Sequence, residues 1–221
     1  IAQFYICSDG EALGAMIPSG RRESEIGGIA FDDFDFEVSS RELSTEQEKA
    51  VAGILDPSMR SPAYLFGVTG SGKTEVFLRA ADAVLARGQG VIYLVPEISL
   101  THQVIESVVS RFGKLAAVLH SGLSGSKRLG EWMRIRRGEA RIVVGARSAI
   151  FAPVENLGLI IIDEEHDGSY KSGTTPRYHA RQVAMHRAAD SSCALVLGSA
   201  TPSIEAGQQM KTGAIRSFSL T

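Results

Sequence analysis

The sequence predicts an α/β domain built on a parallel sheet with helices packed against it. Six short apolar runs, rich in β-branched or aromatic residues, fall at 63–66, 91–95, 116–119, 141–144, 159–162 and 194–197. Uninterrupted apolar runs of that length mark strands buried on both faces. Stretches of helical pattern, 73–87, 99–112, 124–137 and about 177–190, separate most of them. That alternation supplies the crossovers that parallel strands need. The residues just past the runs are Gly67, Pro96-Glu97, His120-Ser121, Gly145-Ala-Arg147, Asp163-Glu164 and Gly198-Ser199. Polar groups and glycines thus gather at the carboxyl edge, where open parallel sheets bind ligands.

Taken in order, residues 1–20 read as a helix-prone piece from Ile1 to Met16 closed by Pro18-Ser-Gly20. Residues 21–42 mix charges with Phe31-Asp-Asp-Phe-Asp-Phe36 and show no period, as a linker or a remnant of a neighbouring domain would. The chain opens on Ile1 and stops at Thr221 after an amphipathic stretch, which suggests a fragment. Ser44-Thr-Glu-Gln47 is a capping box that starts a helix to about Leu55.

At 221 residues and a formal net charge of −2, no global basic field advertises nucleic acid, so any such binding must come from a local patch. Cys7 and Cys193 have no ligand or redox spacing, which fits a reducing compartment. No apolar run approaches the length of a membrane span and no cleavable leader is visible, so the expectation is a cytoplasmic protein.

Gly67-Val-Thr69-Gly70-Ser71-Gly72-Lys73-Thr74 sits between an apolar run and a helical pattern, the strand–loop–helix setting of a phosphate-binding loop. Glycines at 67, 70 and 72 let the backbone curl, so that successive N–H groups can point at phosphate oxygens. The helix that follows presents its positive end to the same anion. Lys73 would reach the terminal phosphates of ATP, and the Thr74 hydroxyl would hold Mg2+.

Leu159-Ile-Ile-Ile162 runs into Asp163-Glu164-Glu165-His166. A buried strand ending in a carboxylate places Asp163 near the Mg2+, and Glu164 can polarise an attacking water. After the last run, Ser199 and Thr201 of Gly198-Ser-Ala-Thr-Pro202 can hydrogen-bond His166 and the acidic pair. The same residues also read as a strand-to-helix turn with Thr201 as cap and Pro202 at the first helical position.

These three elements, in this order, resemble the superfamily-2 helicases. The blocks Leu94-Val-Pro-Glu97-Ile-Ser-Leu-Thr101, Leu119-His-Ser-Gly-Leu-Ser124, Gly145-Ala-Arg-Ser-Ala-Ile-Phe-Ala-Pro153 and Asp163-Glu-Glu-His-Asp167 through Lys171 are similar to those of the bacterial replication-restart DNA helicases. The likeness runs from about Leu43 to Glu205. It implies a RecA-like P-loop NTPase lobe over 43–221, with 1–42 a remnant of a DNA-binding region. The second helicase lobe and a zinc-bearing cysteine-rich insertion would lie outside the chain. The activity implied is ATP-dependent 3′→5′ DNA unwinding at abandoned replication forks, with single-stranded and forked DNA, primosome proteins and replicative-helicase loading proteins as partners. An isolated lobe would be poorly active, because a trans arginine is worth about 10³ to 10⁵ in rate. Another superfamily-2 motor, an RNA helicase or restriction translocase, and a nucleotide-gated loading scaffold remain alternatives.

Carried over by residue, the resemblance gives Gln47 an adenine-reading role, against that of a solvated helix residue. Gly67, Thr69, Gly70, Ser71, Gly72, Lys73 and Thr74 would hold the triphosphate. Thr74 and Asp163 would hold Mg2+, Glu164 would be the base, and His166, Ser199 and Thr201 would be couplers. Pro96, Glu97, Arg147 and Ser148 fall in motifs that contact the strand backbone, although Arg147 equally reads as a surface or salt-bridging arginine.

The stretch Asp167–Arg181 carries Tyr170, Lys171, Arg177 and Tyr178 on what reads as a long mobile loop. Aromatics interleaved with cations suit single-stranded nucleic acid; a surface loop with Tyr178 packed is the other reading. Thr175-Pro176 departs from the family, which places an aromatic or large apolar residue there. The basic run Lys127–Arg141 reads as a solvated helix with Leu129, Trp132 and Met133 as its core stripe, or as a DNA-facing one.

Overall fold

The computed structural model describes residues 2–18, 42–58, 61–100 and 102–221. Its centre is a seven-stranded sheet of order β3-β4-β2-β5-β6-β1-β7, in which every pairing is parallel. The strands are β1 (Ala63–Gly67), β2 (Gly90–Leu94), β3 (Ala116–Leu119), β4 (Ile142–Gly145), β5 (Leu157–Ile162), β6 (Ala194–Ser199) and β7 (Arg216–Leu220). The helices are α1 (Ala2–Tyr5), α2 (Asp9–Met16), α3 (Thr45–Ile54), α4 (Lys73–Ala86), α5 (His102–Phe112), α6 (Gly125–Arg136), α7 (Ala180–Ser191) and α8 (Ile204–Lys211).

The six expected strands all form, each shifted by at most two residues at either end. Alternation divides their side chains between two cores. Val91, Tyr93, Leu159 and Ile161 join α4 in one core, and Ile92, Leu94, Ile160 and Ile162 join α7 in the other. Ile160, Ile161 and Ile162 are all fully buried. Each such side chain contributes about 1.5–3 kcal/mol, which is why the run has no polar interruption before Asp163.

Ser44 caps α3 as expected, its hydroxyl accepting from the N–H of Gln47 and its own N–H donating to the Gln47 side chain. The N-terminal piece is two helices rather than one. The chain turns at Ile6 with φ of 50°, and a second capping box, Ser8 with Glu11, starts α2. Its anchor is Tyr5, whose hydroxyl donates to Gln182 of α7 at 2.7 Å. The linker expected over 21–42 lies outside the described residues apart from Glu42.

Strand β7 has no counterpart in the sequence reading. Arg216-Ser-Phe-Ser-Leu220 alternates polar and apolar residues, because an edge strand outside β1 is covered less completely. Phe218 packs where a side chain on Gly53 of α3 would stand. Among the described residues no helix is long and apolar enough to cross a membrane.

Candidate functional site

β1 delivers the chain at Gly67 into a loop in which Gly70 and Gly72 take φ of 86° and 85°, backbone that a residue with a Cβ rarely adopts. Gly72 is also the N-cap of α4 and offers no side chain to the first turn, so those N–H groups stay free for an anion. A Cβ at Gly72 would strike the Gln47 amide. Gln47 lies against this loop from α3, its Nε2 donating to Ser71 O at 3.4 Å while its Oε1 serves the cap of its own helix. The loop thus touches Gln47, which sequence distance conceals.

Lys73 is buried, and its Nζ donates to the carbonyls of Gly67 at 2.7 Å and Val68 at 3.2 Å. Ser71 Oγ is buried without a partner. A cation folded onto its own loop and an orphaned hydroxyl beside it fit a group that brings phosphate oxygens.

Asp163 follows β5 on the same side of the sheet as α4. Its Oδ2 accepts from the Tyr93 hydroxyl at 3.1 Å, its Oδ1 from the N–H of Glu164 at 2.9 Å, and its carbonyl from the Tyr170 hydroxyl at 2.6 Å. Burial, and then the charge of Glu164, push the Asp163 carboxyl up to about 6, against the pull of Lys73. Two neighbouring carboxylates, both partly buried, are electrostatically suited to a hard divalent cation. Among the described residues no group of three or more His, Cys, Asp or Glu could hold a metal. Magnesium commonly takes one or two protein oxygens together with substrate phosphates, and Thr74 with Asp163 is such a donor set.

Glu164 sits at φ of 43°, a left-handed conformation that costs a non-glycine residue about 1–3 kcal/mol and gathers at functional sites. Its carboxylate accepts from Ser199 Oγ at 3.1 Å. His166 Nδ1 lies 2.7 Å from Ser199 Oγ, and the N–H of Thr201 donates to the same hydroxyl at 3.0 Å. Ser199 is fully buried at the end of β6, the strand between β5 and β1. The strand order therefore sets Ser199 between the acids and the phosphate loop. Thr201 does not cap a helix; Ser203 does, accepting from Ala206 N at 3.1 Å, two residues later than expected.

Glu165, the third acid in a row, has no local signature in the sequence. It is 3% exposed and pairs with Arg181 of α7 at 2.7 Å. The Ser203 hydroxyl donates to the same carboxylate at 2.7 Å, and Arg181 also donates to Gln209 of α8. The acidic turn is thereby joined to α7 and α8. Tyr64, likewise unanticipated, reaches Glu165 from the next strand but one, at 3.4 Å.

The expected strand-contacting residues lie at the carboxyl ends of β2 and β4. Pro96 is buried; Glu97 is exposed and accepts from Ser121; Ser148 is exposed. Among the described residues Arg147 has no carboxylate partner. Its Nη1 donates to the carbonyls of Ser169 at 2.9 Å and Lys171 at 2.6 Å, and its guanidinium lies 5.7 Å from the Tyr178 ring. A cavity of about 210 Å³ opens here, lined by Glu97, Ser121, Arg128, Trp132, Arg147 and Ser148 among others. Trp132 Nε1, Arg128 Nε and Arg147 Nε are buried donors without partners.

The loop 167–179 departs from the sequence reading. Asp167 caps Ser169 N, Lys171 bridges His179, and Ser172 N donates to Tyr178 O at 2.8 Å, so the loop folds as a pinned hairpin. Tyr170 is fully buried and Tyr178 is 4% exposed, packed edge-on to Phe151 with ring centroids 4.9 Å apart. Neither ring offers a face for base stacking, because each has a hydrophobic socket to fill. Lys171 and Arg177 are exposed. In α6 the buried face is Gly130, Glu131 and Ile135, with Glu131 paired to Arg134 at 2.8 Å; Leu129, Trp132 and Met133 are only half-buried.

The family described as DEAD/DEAH box helicase matches residues 44–210. The chain is similar to the replication restart protein PriA of Treponema pallidum, 58% identical over the whole chain and 34% of that protein. It is also similar to PriA of Bacillus subtilis, 52% identical over 80% of the chain and 22% of that protein. The chain thus spans about a third or less of these relatives. Among solved structures, RecG bound to a three-way DNA junction matches with a TM-score of 0.58 at 23% identity, covering 82% of this chain and 24% of that one. The Hef helicase domain of Pyrococcus furiosus matches at 0.56 and 21%, covering 78% and 37%; both likenesses concern the fold. With the phosphate loop, the acidic turn and the serine between them on one sheet edge, and the match covering all three, the chain belongs to the DEAD/DEAH box helicase family.

Proposed function

We propose that this chain is the ATP-binding lobe of a replication-restart DNA helicase that couples ATP hydrolysis to 3′→5′ unwinding. The observation that carries the reading is the chain His166–Ser199–Glu164 beside the phosphate loop, with bonds of 2.7 and 3.1 Å. The length and identity of the match to the PriA proteins support the replication-restart setting.

Backbone amides of 67–74 cradle the triphosphate, and Lys73 leaves its carbonyl partners for phosphate oxygens. Thr74 and Asp163 would hold Mg2+, which would supply neutralisation of phosphate charge when bound. Glu164 orients and deprotonates water, Gln47 reads the adenine, and Ser199, Thr201 and His166 relay nucleotide state to the rest of the lobe. Pro96, Glu97, Arg147, Ser148, Lys171 and Arg177 line the path of a DNA strand, beside a cavity that Arg128 and Arg147 help to line. Partners of the whole protein are forked DNA, primosome proteins and proteins that load the replicative helicase. Zinc belongs to its cysteine-rich insertion, and its setting is cytoplasmic.

The test is strand displacement by the full-length protein on forked DNA and on a matched RNA fork, beside a Glu164→Gln variant. DNA-specific displacement that falls about 10² to 10⁴-fold in the variant, with an ATP analogue still bound, is expected. Equal action on RNA, or fork loading that survives Glu164→Gln unchanged, would overturn it.

A further inference from the structure

We propose that Tyr93 is a positioning residue for the divalent cation, holding Thr74 and Asp163 in one arrangement. This rests on the Mg·ATP reading of the site.

Thr74 is the second residue of α4 and Asp163 directly follows β5, so no shared element sets their spacing. Tyr93 on β2 spans the gap. Its register partner on β5 is Ile161, and alternation puts Asp163, two residues on, on the same face as the phenol. The Tyr93 hydroxyl donates to Asp163 Oδ2 at 3.1 Å, and the Thr74 side chain bonds the same phenol. A phenol has one proton to give and lone pairs to receive. Donation to the carboxylate leaves it to accept from Thr74, which turns the threonine's own lone pairs away from the phenol. The ring is held by Phe77 of α4, edge-on at 5.9 Å and 62°, and is 1% exposed. A valine or isoleucine would fill a buried strand position equally well, and a buried hydroxyl is costly unless it is satisfied. Among the described residues its partners are two groups of the site.

Partners that orient ligating groups typically change metal affinity by about 10 to 100-fold when removed. The experiment is Tyr93→Phe in the full-length protein, reading the Mg2+ concentration that half-saturates binding of a fluorescent ATP analogue. A rise of about tenfold is expected, with affinity in EDTA within about twofold of wild type. An unchanged Mg2+ requirement, whatever happens to the melting temperature, overturns the proposal. Asp163→Asn runs alongside. If it too leaves the Mg2+ requirement unchanged, the metal site itself is misassigned and the role of Tyr93 falls with it. If it alone raises the requirement, only the Tyr93 role fails. Should Tyr93→Phe not fold, 3-fluorotyrosine at this position keeps the hydroxyl. Its fluorine resonance is expected to shift when Mg2+ joins the nucleotide-bound protein, and no shift overturns the proposal.

Discussion

The Ser199 hydroxyl donates to Glu164 at 3.1 Å from a fully buried position at the end of the neighbouring strand. The backbone of Glu164 holds a left-handed φ of 43° beside that strand. One hydroxyl thus joins the Glu164 carboxylate to the Thr201 amide, at 3.0 Å, and so to the chain leading into α8.

Ser199→Ala removes a hydrogen bond to a charged group, worth about 1.5–3 kcal/mol. Affinity for Mg·ATP is expected to stay within about threefold. Strand displacement per ATP hydrolysed by the full-length protein is expected to fall about tenfold or more, measured by parallel unwinding and phosphate-release assays.

The pH dependence of stability follows from Asp163. Its folded value of about 6 lies above the ordinary 3.8, so its contribution to stability is complete below pH 4 and is lost as pH rises through 6. Without nucleotide or Mg2+, Asp163→Asn should therefore melt higher than wild type at pH 8, by about 2 kcal/mol or roughly 4–8 °C. The gain should shrink as pH is lowered from 6 toward 4. Thermal melts across that range check it.

Arg181→Met leaves Glu165 buried and unpaired. A loss of about 3–5 kcal/mol is expected in denaturant unfolding. Adding Glu165→Gln to the same protein should recover much of it, since the remaining amide is neutral and keeps the Ser203 partner seen at 2.7 Å.

Tyr178→Ala empties the socket against Phe151 and should cost about 3–5 kcal/mol. Tyr178→Phe keeps the packing and the ring face and should leave single-strand affinity within about twofold. A large loss of affinity in the Phe variant would mean that the Tyr178 hydroxyl, in spite of its burial, reaches DNA.

The only tryptophan of the chain, Trp132, lines the cavity beside Arg147. Its fluorescence in the isolated chain should change on adding a short single-stranded oligonucleotide. The change should weaken about tenfold in apparent affinity with Arg147→Ala, which also frees the carbonyls of Ser169 and Lys171.

Local pattern determined much of this protein. The six buried runs, the glycines of the phosphate loop, the Ser44–Gln47 cap and the acids after β5 each carry their signature within a few residues, because pleat alternation, backbone freedom and capping are short-range effects. Only the tertiary structure decided which groups meet. Glu165 and Arg181, Tyr93 and Asp163, and Gln47 and the phosphate loop are brought together by strand order and register, which no local window encodes. The same holds for the loop after the acidic turn: aromatics among cations look alike whether they stack on a ligand or fill a socket, and it was the packing of Phe151 and the reach of Arg147 that buried Tyr178. Sequence set what each segment could do, and the crossing of parallel strands chose the neighbours that decide what it does.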